Sequence, residues 1–299
     1  MGYQLYHDES QVDGYWHGIL LVPEETRSHL LELLREARRN TGYNHPVKLG
    51  KVRHTGKIYR CAVSWAIIGS AALASRFKSQ PPRIWLGERD KRQWVYSSLS
   101  KVIGCKFILF RERDAHSEMA GHPDHASKVE TTFRMGVKGG GHLLGSDSCP
   151  IAISRMHFDG HEHHGRHLDR DRIVGRLSGL REYFSIDQRH DLIEDGSSDH
   201  THNDRQAYDD CQLLQLADVL VGSFRVALRP SSSARHLHRN VARPVRTLAL
   251  EYQKGPARMA NSRWKDAFCM SECYLEDGRW RFAVLSPLGD ESRQRHLEL

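Results

Sequence analysis

The sequence predicts an α/β fold in which a mixed sheet is flanked by helices. The chain opens with two apolar strand patterns joined by a short loop containing Asp13-Gly14, which is typical of a β-hairpin. Strand and helix patterns then alternate through the middle of the chain, as expected for strands connected by helices. A second hairpin pattern, with Asp277-Gly278 at its turn, lies near the C-terminus.

Hydrophobic periodicity and helix start and stop residues define the individual elements. Pro23 opens a helix whose apolar stripe includes Leu30 and Leu34, and this helix stops near Gly42. The other predicted helices cover residues 58–77, 89–103, 124–144, 171–184 and 213–228. The predicted strands cover residues 3–8, 15–22, 83–86, 106–110, 151–158 and the hairpin at 268–285.

Composition sets the broad class of the protein. Of its 299 residues, 39% are hydrophobic and 27% are charged, which suits a cytoplasmic protein with a sizeable core. We expect no membrane segment, because no run of about 18 apolar residues occurs. The six cysteines form no CxxC pair, which favours buried thiols over disulfides or structural zinc. We divide the chain into an α/β domain, 1–228, and a basic extension with a hairpin, 229–299, packed on the same domain.

The net charge of +7 is distributed unevenly along the chain. Nine acidic residues and two arginines lie between Ile186 and Asp218, whereas ten basic residues and one acid lie between Arg225 and Lys265. Such a basic segment favours phosphate contacts, with an ordinary solvated surface as the alternative. We interpret its 229–246 part as an excursion or lid. The predicted nucleic-acid contacts are Lys48, Arg225, Arg235, Arg239, Arg243 and Arg246.

Two distant motifs carry the main functional signal: YHDES at residues 6–10 and LQLADVL at residues 214–220. The first places Asp8 at the end of a strand, and the second places Asp218 within an apolar helix. Asp159 ends another strand in the same manner. Burying an ionised carboxylate is costly without a compensating charge, so acids that meet in the fold suggest a cation between them. Oxygen ligands favour Mg²⁺ or Mn²⁺, although any one of these acids could instead be a strand-end cap.

A histidine-rich stretch follows Asp159. Residues 157–167 hold five histidines, a density that can bind transition metals, but their spacing matches no zinc signature. We interpret the stretch as a flexible loop that could also supply a general acid or contact a substrate.

Three motifs in order, HDES at 7–10, HFDG at 157–160 and LQLAD at 214–218, resemble a known family pattern. The chain is similar, from Tyr3 to Arg225, to the bacterial and phage family called domain of unknown function 3800. The resemblance implies a ribonuclease-H-like arrangement, in which acids on adjacent strands and a helix hold two divalent ions. It assigns metal binding to Asp8, Asp159 and Asp218, and it makes Glu9 the second acid of the first motif.

The chain departs from the family pattern at two places. Gln11 replaces a glycine after the first motif, and the acid that often follows the first helix is missing near Lys48. A fourth metal ligand would therefore come from elsewhere, such as Glu130 or Asp210.

These observations lead to one functional hypothesis and two alternatives. We expect a divalent-metal-dependent nuclease in which two Mg²⁺ or Mn²⁺ ions act on RNA or DNA, held by Asp8, Asp159 and Asp218 with Glu9 and Asp210 as further ligands. The first alternative is a catalytically weak or inactive nucleic-acid-binding component of a nucleoprotein or defence assembly. The second is a histidine-rich transition-metal protein.

Overall fold

A computed structural model provides the coordinates of the chain. The structure describes residues 2–12, 14–73, 101–113, 125–144, 150–159, 169–180, 184–186, 193–196, 204–229, 235–253, 267–277 and 279–285. The strand and helix predicted at 83–86 and 89–103 lie largely outside these residues and stay predictions.

The described elements alternate between strands and helices. The strands are β1 (Gly2–Ser10), β2 (Tyr15–Pro23), β3 (Lys106–Glu112), β4 (Ile151–Asp159), β5 (Phe184–Ile186), β6 (Ile193–Gly196), β7 (Phe268–Glu276) and β8 (Arg279–Val284). The α-helices are α1 (Glu24–Thr41), α2 (Lys57–Leu73), α3 (His125–Leu144), α4 (Arg170–Leu177), α5 (Arg205–Leu228) and α6 (His236–Gln253). Short 3-10 helices cover Leu49–Lys51 and Ser178–Leu180.

Within the described residues, eight strands form one mixed sheet. Its order is β5-β4-β1-β2-β3-β7-β8, and β6 also pairs with β4. The neighbours of β4 run parallel to it, as β7 does to β3, whereas β2 and β8 are antiparallel to their neighbours. The predicted α/β class with a mixed sheet is therefore confirmed. The C-terminal hairpin, β7 and β8, continues this same sheet beyond β3.

Helices cover both faces of the sheet. Residues of α1, α2, α5 and α6 share one large core with the inward side chains of β2 and β3. Residues of α3 and α4 form the second core on the opposite face. In α3, a Cβ at Gly140 would lie 2.4 Å from Ile108, and one at Gly141 would lie 2.2 Å from Phe184. These glycines therefore let α3 pack tightly on the sheet, and the helix ends at Leu144 as predicted.

Three helices differ from their predicted form. Helix α4, predicted over 171–184, ends at Leu177, and Phe184 begins strand β5. Helix α5 begins at Arg205, eight residues before the predicted start, because the Asp204 side chain caps it by accepting hydrogen bonds from the amides of Gln206 and Ala207. The stretch predicted as a lid is largely helix α6, whose buried positions include Val241, Val245 and Leu248.

The central position of α5 explains its apolar composition. Arg205–Leu228 is long and apolar enough to cross a membrane, but 83% of its apolar window is buried inside the protein. This burial accounts for the composition through core packing. The five cysteines in the part of the chain that the structure describes are likewise buried thiols.

A β-bulge interrupts the pairing of β1 with β4. Tyr3 pairs with Ile153, but the next residue of β1, Gln4, pairs with Arg155, so Ser154 is an extra residue in β4. The Ser154 hydroxyl donates a hydrogen bond to the carbonyl oxygen of Tyr3 at 3.2 Å. Because side chains alternate along a strand, the bulge changes which face the later residues of β4 occupy.

Helix α5 approaches the sheet closely at Gly18 of β2, the residue that pairs with Asp8 of β1. A Cβ at Gly18 would lie 2.7 Å from Val221 Cβ and 3.2 Å from a ring carbon of Phe107. Glycine at this position therefore sets the distance between α5 and the strand that carries Asp8.

Replacing Gly18 with alanine should lower the free energy of unfolding by about 1–3 kcal/mol, because α5 must move away from the sheet. Urea denaturation measures this change. Gly50→Ala is the matched control, because a Cβ at Gly50 has no neighbour within 4 Å. Equal stability of the two variants would contradict the proposed close contact.

Candidate functional site

The acids that end β1 and β4 lie side by side. The parallel pairing of these strands reaches His7 and Phe158, so Asp8 and Asp159 follow at the next matching positions. Tyr6 and His157, two residues earlier, stack with their ring centroids 4.5 Å apart on the face covered by α5. Asp8 and Asp159 therefore point to this same face.

Asp218 of α5 joins the two strand-end acids. Its carboxyl group shares a hydrogen bond with that of Asp8, and the charge of Asp159 acts on both. Burial, together with the charge of Asp159, raises the pKa of Asp218 to about 6, although the hydrogen bond from Leu49 and the charge of Lys48 act to lower it. Burial and the charges of Asp218 and Asp159 likewise raise the pKa of Asp8. The structure thus brings together all three acids predicted as the centre, which we call the acid centre.

The segment after α1 borders the acid centre. The backbone amide of Leu49 donates a hydrogen bond to Asp218 Oδ2 at 3.1 Å, and the charge of Lys48 stabilises ionised Asp218. Gly222 makes room for this segment, because a Cβ there would lie 2.8 Å from Leu49 Cδ2. Lys48, predicted as a phosphate contact, therefore lies beside the carboxylates themselves.

Gln215, one turn before Asp218, holds the same segment in place. Its Oε1 accepts hydrogen bonds from the Val47 amide at 2.9 Å and from Arg38 Nη2 at 2.7 Å. Arg38 also donates to the carbonyl oxygen of His45 at 2.7 Å, and it is only 3% exposed. The glutamine of the LQLAD motif therefore positions the segment whose amide reaches Asp218.

Asp8 has an oxygen that suits a metal ion. Its Oδ2 is buried, and no donor among the described residues makes a hydrogen bond with it. A buried carboxylate oxygen without a donor is costly, and a divalent cation would neutralise it. Three convergent carboxylates match the hard oxygen ligands of Mg²⁺ or Mn²⁺, so the residues present fit such an ion.

Glu9, predicted as an additional metal ligand, points away from the acid centre. It follows Asp8 in β1 and therefore faces the opposite side of the sheet. There its carboxylate accepts a hydrogen bond from the hydroxyl of Tyr15. The structure does not bring Glu9 together with the side chains of Asp159 and Asp218.

Asp210, the fifth predicted ligand, belongs to a neighbouring network near the start of α5. Its Oδ1 lies 2.5 Å from Arg27 Nη2 and accepts a hydrogen bond from the Tyr6 hydroxyl at 2.9 Å. His157 Nε2 lies 3.8 Å from the same oxygen, and His157 Nδ1 lies 3.4 Å from Glu194 Oε2. Asp210 is two helical turns from Asp218 and carries its own partners.

His157, Glu194 and Asp210 offer a second possible metal group. One donor atom from each lies within 4.8 Å of the others. Burial lowers the pKa of His157 to about 4, so its imidazole is neutral at pH 7. The positive charge of Arg27 already neutralises Asp210, which makes this group less suited to a cation than the acid centre. The remaining histidines of the 157–167 stretch lie outside the described residues.

Four predicted phosphate contacts form a stripe along α6. Arg235 precedes the helix, and Arg239, Arg243 and Arg246 follow at intervals of three or four residues, so they share one face. All four are exposed. Arg225, near the end of α5, is half-buried, and its charge acts on His238 at the start of α6.

Sequence reasoning missed four features of this region. It placed Asp210 before the helix, although α5 already includes it, and it did not identify Arg27, its partner 183 positions away. It also gave Gln215 no role. The hydrogen bond from the Leu49 amide to Asp218 left no signal in the sequence, because it depends on how the segment after α1 folds back.

Without metal, Asp218→Asn should stabilise the protein near neutral pH. The folded protein holds a proton on Asp218 between about pH 4 and about pH 6 that the unfolded chain releases. The contribution of protonated Asp218 to the free energy of unfolding is therefore fully present below about pH 4, and it is lost as the pH rises through about 6. Melts in EDTA should show a gain on the order of 1 kcal/mol at about pH 7.5 that disappears near pH 4.

Asp171→Asn, at an exposed position of α4, is the control for this measurement and should show no such pH dependence. A less stable Asp218→Asn at neutral pH would mean that burial and the charge of Asp159 do not destabilise the ionised Asp218 carboxylate.

Comparison with protein-family models, with curated proteins and with solved structures finds no match for this chain. The chemistry of the residues that the fold brings together is therefore what indicates a function.

Proposed function

We propose that this protein is a divalent-metal-dependent nuclease with a ribonuclease-H-like fold, similar to the domain of unknown function 3800 family. The convergence of Asp8, Asp159 and Asp218 at the ends of two parallel strands and on one helix carries the proposal. Acids on adjacent strands and a helix are the arrangement that the resemblance implies.

The residues in and around the acid centre have separate roles in binding. Asp8, Asp159 and Asp218 would hold Mg²⁺ or Mn²⁺, and the Leu49 amide fixes one oxygen of Asp218. When bound, such ions activate a water molecule and stabilise the leaving oxygen of a phosphodiester. Lys48 supplies a positive charge beside the carboxylates, where it would contact a substrate phosphate.

The α6 stripe supports nucleic acid as the substrate class. Four exposed arginines on one helix face supply phosphate contacts that do not depend on base sequence. The contact between His238 Nε2 and the Val52 carbonyl oxygen, 3.0 Å long, ties the start of α6 to the segment that borders the acid centre. The helix that carries the stripe therefore contacts the segment that borders the acid centre.

Asp8→Asn should lower Mn²⁺-dependent cleavage of labelled RNA or DNA by at least about 100-fold while largely sparing binding, because it removes a metal ligand. Millimolar Mn²⁺ should also raise the melting temperature of the parent but not of this variant, since a ligand stabilises only the state that binds it. Asp171→Asn should behave like the parent in both assays. If Mn²⁺ does not change the melting temperature of the parent and Asp8→Asn cleaves as fast as the parent, the proposal is overturned.

The second candidate function is a nucleic-acid-binding protein that keeps the acids without turnover. One observation favours it: Glu9 and Asp210 are held by Tyr15 and Arg27, which leaves three carboxylates in the acid centre. Binding by the parent without metal-dependent cleavage, across a panel of RNA and DNA substrates, would select this alternative.

Replacing Arg235, Arg239 and Arg243 together with alanine should weaken nucleic-acid binding at low salt. Each phosphate contact contributes roughly 0.7–0.9 to the slope of log affinity against log salt, so the slope should flatten by about 2–3. The fold should survive, because these side chains are exposed and alanine favours helix. Fluorescence anisotropy across a salt series measures the slope.

The matched control replaces three exposed cations elsewhere, Arg39, Lys138 and Arg205, with alanine. The same slope in both triple variants would show that the stripe is an ordinary solvated surface.

A further inference from the structure

A cleft lies between the segment that follows α1 and the start of α2. Its volume is about 430 Å³, which is within the range of sites that bind small ligands. The side chains that line the cleft are Tyr43, Asn44, His45, His54, Lys57 and Ile58. None of them belongs to the acid centre, so the cleft is a separate candidate site.

Two aromatic rings border the cleft. The rings of Tyr43 and His45 meet at an angle of 67° with their centroids 5.8 Å apart. The Tyr43 hydroxyl donates a hydrogen bond to the carbonyl oxygen of Pro46 at 3.1 Å, which fixes the orientation of its ring. Tyr43 is half-buried and His45 is exposed, so both rings have surface that a planar ligand can cover.

Lys57, the first residue of α2, brings a positive charge to the cleft. Its side chain is exposed, and it forms no ion pair or hydrogen bond with the residues that the structure describes. Its ammonium group lies beside Gly42, where an added Cβ would be 3.4 Å from Lys57 Nζ. His54 adds a donor, because its Nδ1 accepts a hydrogen bond from the Gly56 amide at 3.2 Å and the ring proton therefore lies on Nε2.

The stretch of chain that forms the cleft is strongly basic. Residues 37–87 hold ten lysines and arginines and no acidic residue. Three of these cations, Lys51, Arg53 and Arg60, are exposed near the cleft in sequence, and none of the three has an ion pair with a described residue. This charge favours an anionic ligand, and the aromatic rings favour a planar one.

The cleft is connected to the acid centre through a few residues of one segment. Arg38 is buried, and its Nη1 donates hydrogen bonds to the carbonyl oxygens of Tyr43 at 3.3 Å and of His45 at 2.7 Å. Leu49, four residues after His45, donates its amide to Asp218. The Cα atoms of His45 and Leu49 are therefore no more than about 14 Å apart. A strand that has one phosphate at the acid centre can reach the cleft with a nearby nucleotide.

We propose that the cleft binds one unpaired nucleotide of a single-stranded nucleic acid whose scissile phosphate lies at the acid centre. The base covers the rings of Tyr43 and His45, and Lys57 binds the phosphate. A base within a duplex is paired and stacked on its neighbours, so it does not enter the cleft without being unstacked. This inference rests on the proposed function, because it names the substrate class of that site.

The variant Tyr43→Leu tests the contact with the base. Fluorescence anisotropy in EDTA measures its binding to short labelled single-stranded RNA and DNA, and to the same sequences as duplexes. Loss of the ring should weaken single-strand binding by at least about fivefold, while duplex affinity stays close to that of the parent. The conservative variant Tyr43→Phe keeps the ring and should recover most of the lost affinity.

The variant Lys57→Gln tests the contact with the phosphate. It should flatten the slope of log affinity against log salt by about 0.7 for single strands, because one phosphate contact is lost. The matched control is Lys138→Gln, an exposed lysine of α3 on the opposite face of the sheet, which should leave the slope unchanged.

A second aromatic variant keeps the test decisive if Tyr43→Leu does not fold, which urea denaturation would show. His45→Ala removes an exposed ring and should also weaken single-strand binding more than duplex binding. Equal single-strand affinity of Tyr43→Leu and Tyr43→Phe, or of His45→Ala and the parent, would overturn the base contact. Equal losses for single strands and duplexes would overturn it as well.

The outcomes separate this inference from the proposed hydrolysis, because binding in EDTA needs neither metal nor cleavage. A parent that binds single strands through the cleft but never cleaves would overturn the nuclease and leave the nucleotide site standing. A parent that cleaves, with Tyr43→Leu and Lys57→Gln binding as the parent does, would overturn the nucleotide site alone. A parent that binds no single-stranded nucleic acid at low salt would also overturn the nucleotide site.

Discussion

The distance between α5 and the sheet is the constraint on which the acid centre depends. Asp218 meets Asp8 only because Gly18, which pairs with Asp8, has no side chain to keep Val221 away from β2. The approach brings carboxylates together in a partly buried place, which raises their pKa values and costs stability when they ionise. The two cores that α5 and α3 build against the sheet supply the stability that offsets this cost.

Two polar networks on the same face of the sheet differ in how their charges are balanced. Around Asp210, Arg27 supplies a positive charge and Tyr6 a hydrogen bond, so the network is satisfied within the protein. In the acid centre, the charge of Lys48 acts on Asp218, and Asp8 Oδ2 stays without a donor among the described residues. This contrast supports the proposal that the acid centre, unlike the network around Asp210, binds an added cation.

The sequence alone predicted the strands and the helix that carry the acids, because each acid lies at the end of a clear apolar strand pattern or inside an apolar helix pattern. It was insufficient for β5 and β6, which are three and four residues long and too short to show a period. Helix α6 was obscured by Pro244 within it and by the serines that precede it. The roles of Arg27 and Arg38 depend on partners distant in sequence, which no local pattern reveals.

The bulge at Ser154 has a consequence for insertions and deletions in this chain. Counted by strict alternation, Asp159 would share a face with Ile151 and Ile153, which pack in the core beneath α3. The extra residue reverses that order, so Asp159 emerges beside Asp8 instead. A chain lacking Ser154 alone would pair in the same register without a bulge and would keep Asp159 beside Asp8, whereas loss of one paired residue between Arg155 and Phe158 would turn Asp159 to the opposite side of the sheet. The acid centre therefore needs its three acids, and it also needs the number of paired residues in β4 that places Asp159 on the same face as Asp8.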